Sequence, residues 1–119
     1  MEVSPIFRLV AIILTLFTLS AVPANATVGP DESKLRPNAI KVVNFVKERH
    51  PDVPIIGGWR QDPLPDHPSG RALDIMVTSR EMGDRVLADL LAHAEELGIQ
   101  YTLWQVRNHY DHIHVTVYA

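Results

Sequence analysis

His112-Ile113-His114-Val115-Thr116-Val117-Tyr118 alternates strictly, with Ile113, Val115 and Val117 on one side and His112, His114, Thr116 and Tyr118 on the other. A period of two marks a strand with one buried face. The stretch Arg71-Ala72-Leu73-Asp74-Ile75-Met76-Val77 alternates in the same way, setting Leu73, Ile75 and Val77 against Ala72, Asp74 and Met76. If both strands bury their aliphatic sides, their other sides present Asp74, His112 and His114. Should the strands be neighbours, those three side chains converge, and His67 in the loop just before the earlier strand can join them.

Outward from these strands the pattern turns helical. Pro37 suits a first helical turn, and Ile40, Val43 and Val46 recur at helical spacing until His50-Pro51 ends the run. Residues 53–59 read as a short strand broken by Gly57-Gly58, and the Pro- and Gly-rich residues 61–70 as a loop. Thr78 with Glu81 fits a capping box. It opens a second helix with the stripe Val86, Leu90, Ala94 and Leu97, stopped by Gly98. Residues 101–106 make a third strand. The order α-β-β-α-β-β predicts an α+β domain: a small antiparallel sheet with two helices packed on one face. His50 reads as a satisfied or surface histidine, and His93, near the apolar stripe, as a structural one.

The chain has 119 residues, 46% hydrophobic and 21% charged, with a net charge of −3 and no cysteine. That length allows one small domain. The charge offers no broad grip on nucleic acid, and the missing cysteines exclude disulfides and cysteine-based zinc fingers. Residues 9–19 are apolar, and Ala24-Asn25-Ala26 supplies small residues at signal-peptidase spacing. Residues 1–26 are therefore expected to be a signal peptide, with an uncleaved membrane anchor as the alternative; the apolar run is short for a span. Residues 27–36 read as a flexible leader and 37–119 as the domain. The expected product is secreted or wall-associated, monomeric and free of the membrane after cleavage. Exported domains this small often need a staple. Without cysteine, a metal is the natural candidate, and two imidazoles with one carboxylate match a catalytic zinc site that keeps a position open for water.

His67-Pro68-Ser69-Gly70-Arg71-Ala72-Leu73-Asp74 resembles the H-x-x-G-x-A-x-D element of the zinc D-Ala-D-Ala metallopeptidases and murein endopeptidases, the superfamily that shares the hedgehog fold. His112-Ile113-His114 is similar to its closing H-x-H, and Gly58-Trp59-Arg60 to its G-[YW]-R segment. The resemblance spans roughly residues 53–117 and implies a hedgehog/DD-peptidase-like fold. It further implies zinc on His67, Asp74 and His114, and hydrolysis of peptidoglycan stem peptides as a carboxypeptidase or endopeptidase. The general base stays open among His112, Asp111 and His109, with His112 favoured because strand alternation puts it on the metal face. Arg60 matches the family's substrate-side arginine, or is an ordinary solvated one. Trp104 matches a pocket aromatic or packs in the core, and Trp59 reads as structural. A non-catalytic, zinc-stabilised module binding wall peptides or a protein is the alternative function, and a metal-free secreted domain a third.

Overall fold

In the computed structural model, which describes residues 26–119, the two alternating stretches pair with each other. The chain forms α1 (Pro37–Arg49), β1 (Ile56–Gly57), β2 (Ala72–Met76), α2 (Arg80–Ala92), α3 (Ala94–Leu97), β3 (Ile99–Leu103) and β4 (His112–Val117). The four strands make one antiparallel sheet in the order β1-β2-β4-β3. The connection from β2 runs through α2, α3 and β3 before β4 inserts between β2 and β3, so the two motif-bearing strands end side by side. The domain is α+β, as the periodicity predicts. The expected signal segment lies outside the described residues except for Ala26. Among the described residues no helix is long and apolar enough to cross a membrane.

Leu73, Ile75, Ile113, Val115 and Val117 are fully buried. They form one apolar cluster with Val42, Val43 and Val46 of α1, Val86 and Leu90 of α2, and Leu97 of α3. The helices thus cover one face of the sheet, and burial of these side chains is the main favourable term in folding. Ile40, expected inside, packs only partly against the cluster, and Ala39 and Val42 take the deeper places.

Four local readings shift. The loose leader is anchored: the Val28 N–H donates to Pro54 O at 2.9 Å, the Ile56 N–H donates to Val28 O at 2.9 Å, and Leu35 is 8% exposed. Its polar composition hid two backbone pairings that no side-chain pattern announces. The strand expected over 53–59 keeps only Ile56–Gly57 in the ladder, plus a parallel bridge from Ile55 to Val28. Pro54 has no N–H to give a ladder. The second helix is capped by Ser79, whose hydroxyl accepts from the Met82 N–H at 3.1 Å, one residue after the expected Thr78. It also breaks at His93. There the ring Nδ1 lies 2.9 Å from Asp89 O, the carbonyl that the His93 N–H would reach in a continuous helix, and that N–H goes to Leu90 O instead. Gly98, at φ 68°, closes α3 as expected. The third strand runs Ile99–Leu103, earlier than expected. Positive φ at Gln105 and Asn108 turns the following residues into a loop, closed by a bond from the Gln105 N–H to His109 O at 2.8 Å.

Gly70 joins the leader to the first motif. It sits at φ 76°, and a Cβ there would lie 2.2 Å from Lys34 O. Its own carbonyl accepts from the Arg36 N–H at 2.9 Å. The left-handed conformation alone costs a non-glycine about 1–2 kcal/mol, before any backbone clash. Gly70→Ala should therefore lose about 2 kcal/mol or more of stability in denaturant titration. An unchanged midpoint would contradict this packing.

Candidate metal centre

The β2–β4 register sets Asp74 directly opposite His114. Both side chains leave the sheet on the face away from the helices. The loop before β2 folds back over them through short backbone bonds from the Ser69 N–H to Pro65 O (3.0 Å) and from the Arg71 N–H to Asp66 O (3.1 Å). Trp59 Nε1 also donates to Pro68 O at 2.9 Å, which fits its structural reading. His67 is thereby buried against the other two.

His67, Asp74 and His114 each bring one ligand atom to within 4.8 Å of the others. His67 Nε2 is 3.3 Å and His114 Nδ1 is 3.5 Å from Asp74 Oδ1. His67 Nδ1 lies 2.9 Å from Gly58 O, which can only accept, so Nδ1 carries a proton whatever the charge of the ring. In the neutral ring the lone pair is then on Nε2. Two of the converging atoms, His67 Nε2 and Asp74 Oδ1, are buried without a hydrogen-bond partner. Leaving such groups unsatisfied costs about 1–3 kcal/mol each. A divalent cation between them satisfies both, and two imidazoles with one carboxylate suit zinc.

Electrostatics act on the two orphaned groups in opposite senses: Asp74 is kept ionised, as a cation requires, and His67 is kept protonated. Burial opposes ionisation of Asp74, but the neighbouring His114 and His67 rings and the Arg60 guanidinium outweigh it and hold the carboxyl well below its usual range. For His67 burial disfavours the charged ring, yet the facing Asp74 carboxylate and the Gly58 carbonyl prevail and raise its pKa. A metal on His67 must displace that proton, so affinity should rise with pH.

The other expected site residues gather here too, in roles the structure separates. Arg60 sends Nη1 to Asp74 Oδ2 at 2.5 Å, with Nη2 3.4 Å from Asp62 Oδ2. It grips the carboxylate oxygen that faces away from the histidines and leaves Oδ1 to them. His112 puts Nε2 3.7 Å from Asp74 Oδ1 and Nδ1 2.8 Å from Asp111 Oδ1. Asp111 itself is exposed, and its carboxyl sits below the usual range, chiefly through that bond with His112. The His109 ring centre is 4.9 Å from that of His112 and 5.8 Å from that of His114. Arg60, His109 and His112 border an open cleft of about 280 Å³, together with His67 and His114, and its walls include Leu64, Tyr101 and Asn108.

Trp104 stands apart from the cleft: it packs on Gly83 and donates to Asp84 at 2.8 Å, the core-side role. His50 is buried and satisfied between Asp89 (2.7 Å) and Arg85 (2.8 Å), and His93 bonds within its helix; neither faces the centre. Asp66, Thr116 and Tyr101 were not anticipated as site residues. Thr116 shares the alternating face with His112 and His114, a signal that was available. Asp66 and Tyr101 reach the site only through the loop and the third strand.

Zinc added to metal-stripped protein at about 100 times its dissociation constant should stabilise it by about 2.7 kcal/mol. For a domain of this size that is a rise of about 10–20 °C in the melting midpoint; at one fixed zinc concentration the rise should be larger at pH 8 than at pH 6. His67→Ala and His114→Ala should abolish the shift, as read by calorimetry with and without chelator. A wild-type midpoint insensitive to zinc would remove the metal.

No curated protein and no solved structure matches the chain. A family model does: that of the VldE C-terminal domain, over residues 31–113. The matched stretch takes in Arg60, His67, Asp74, His109, Asp111 and His112 and stops one residue short of His114. It covers well over half of the chain, and the protein belongs to the VldE C-terminal domain family.

Proposed function

We propose that the protein is a secreted, zinc-dependent peptidase that cleaves internal amide bonds of peptidoglycan stem peptides. The supporting observation is the pair of buried, unpartnered atoms, His67 Nε2 and Asp74 Oδ1, beside His114 Nδ1 at a solvent-open cleft. The likeness of residues 67–74 and 112–114 to the D-Ala-D-Ala metallopeptidase motifs names the substrate class. The apolar run over 9–19 with Ala24-Asn25-Ala26 supports export.

His67, Asp74 and His114 would hold the ion, which would supply polarisation of a scissile carbonyl and a more acidic water. His112 is the general base. Its Nδ1 proton is held by Asp111, which leaves Nε2 on the metal side with a lone pair to accept a proton and later return it to the leaving amine. Asp111 orients His112 rather than acting itself, because its carboxylate is turned to that ring. His109 lies behind His112 and packs against it.

An endopeptidase fits better than a carboxypeptidase. A substrate's terminal carboxylate needs a free cation, and Arg60 is the one Lys or Arg bordering the cleft among the described residues. Its guanidinium already faces Asp74 and Asp62.

His112→Ala should retain stoichiometric zinc and lose about 10²–10⁴-fold in kcat. Asp111→Asn should lose roughly 10–100-fold, the scale of an orienting partner. Mass spectrometry of muropeptide digests should show cleavage inside the stem or cross-link in preference to removal of a terminal residue. Binding of muropeptides without products from any of them would establish the module reading instead.

A further inference from the structure

We propose that Asp66, acting through Thr116, is a positioning residue that sets the tautomer in which His114 meets the metal. The inference rests on the metal reading of the His67, Asp74 and His114 cluster, and goes beyond it by assigning work to a carboxylate outside the three ligands.

The direction of the hydrogen bonds carries it. Thr116 Oγ1 lies 2.9 Å from Asp66 Oδ2 and donates to it, because a carboxylate has no proton to give. With its proton committed, the Thr116 hydroxyl can only accept from its other neighbour, His114 Nε2, at 2.7 Å. Nε2 must then carry a proton, and in the neutral ring Nδ1 is left with a bare lone pair. Nδ1 is the atom that faces Asp74 Oδ1 at 3.5 Å.

Asp66 is itself held. Tyr101 donates its hydroxyl to Oδ2 while its ring stacks on His114 at 5.8 Å between centres, and Arg71 Nη2 binds Oδ1 at 3.1 Å. The relay is shielded, since Thr116 is fully buried. His67 reaches the same condition by donating to the Gly58 carbonyl. The two ligand histidines therefore use opposite ring nitrogens, each assigned by its outer partner, as metal-binding histidines commonly are. The dipeptide Asp66-His67 thus supplies a ligand directly and orients another from the last strand.

The test combines metal affinity, a cobalt spectrum and ring-nitrogen NMR. In metal-free wild-type protein at alkaline pH, the ¹⁵N shifts of His114 should report protonation at Nε2. Thr116→Val, close in shape but lacking the hydroxyl, and Asp66→Asn should each weaken zinc binding roughly 10–100-fold and alter the visible spectrum of the cobalt form. Thr116→Ser, which restores the hydroxyl, should recover most of the loss. Protonation at Nδ1 in the wild type would overturn the proposal, as would wild-type zinc affinity in Thr116→Val or Asp66→Asn. A Thr116→Ser variant as weak as Thr116→Val would do the same. If Thr116→Val fails to fold, the wild-type NMR measurement still decides. Wild-type protein that binds no zinc, while His114 is protonated at Nε2, would sink the metal reading and leave the relay standing.

Discussion

The antiparallel register of β2 against β4 places Asp74 beside His114, and the rest of the centre depends on that alignment. A slip of one residue would turn Asp74 into the helix-covered face and bring Leu73 or Ile75 out. What prevents the slip is the opposite face. Leu73, Ile75, Ile113, Val115 and Val117 are fully buried against α1 and α2, so any other register strips aliphatic surface from the core. The hydrophobic core and the polar centre are two sides of one pairing.

Around that pairing the polar groups form concentric partners. Asp74 offers Oδ1 to the centre because Arg60 holds Oδ2. His67 offers Nε2 because Gly58 takes the other nitrogen. Inside a protein each such bond is stronger than in water, and each unmet partner is costlier. Two buried atoms are nevertheless left unmet at the point of convergence, beside the paired Asp74 Oδ2 and His67 Nδ1.

A metal here would also answer the stability problem of a small chain without cysteine. An ion shared by His67, Asp74 and His114 would tie the loop before β2 and β2 itself to β4, 40 residues beyond Asp74. Cross-links over long loops constrain the unfolded chain, much as disulfides do. The anchored residues 27–36 serve the same end without a metal, through Val28 beside β1 and Lys34 and Arg36 against Gly70.

The sequence by itself determined the fold class, the buried faces of β2 and β4, and the residues of the centre. Alternation with period two is local information, and Leu73, Ile75, Ile113, Val115 and Val117 state it plainly, leaving Asp74, His112 and His114 on the other side. It did not tell that 27–36 is tied down, that Ser79 caps α2, or that α2 breaks at His93. Those depend on backbone bonds and on which of two adjacent hydroxyls meets an N–H. Tertiary structure alone decided the division of labour: Arg60 turned toward Asp74, Asp111 turned to His112, and Asp66 reaching His114 through Thr116. Hydrogen bonds of 2.5–2.9 Å between residues as far apart as Asp66 and Thr116 have no periodic trace in a sequence. They exist only once the sheet has set the strands in register.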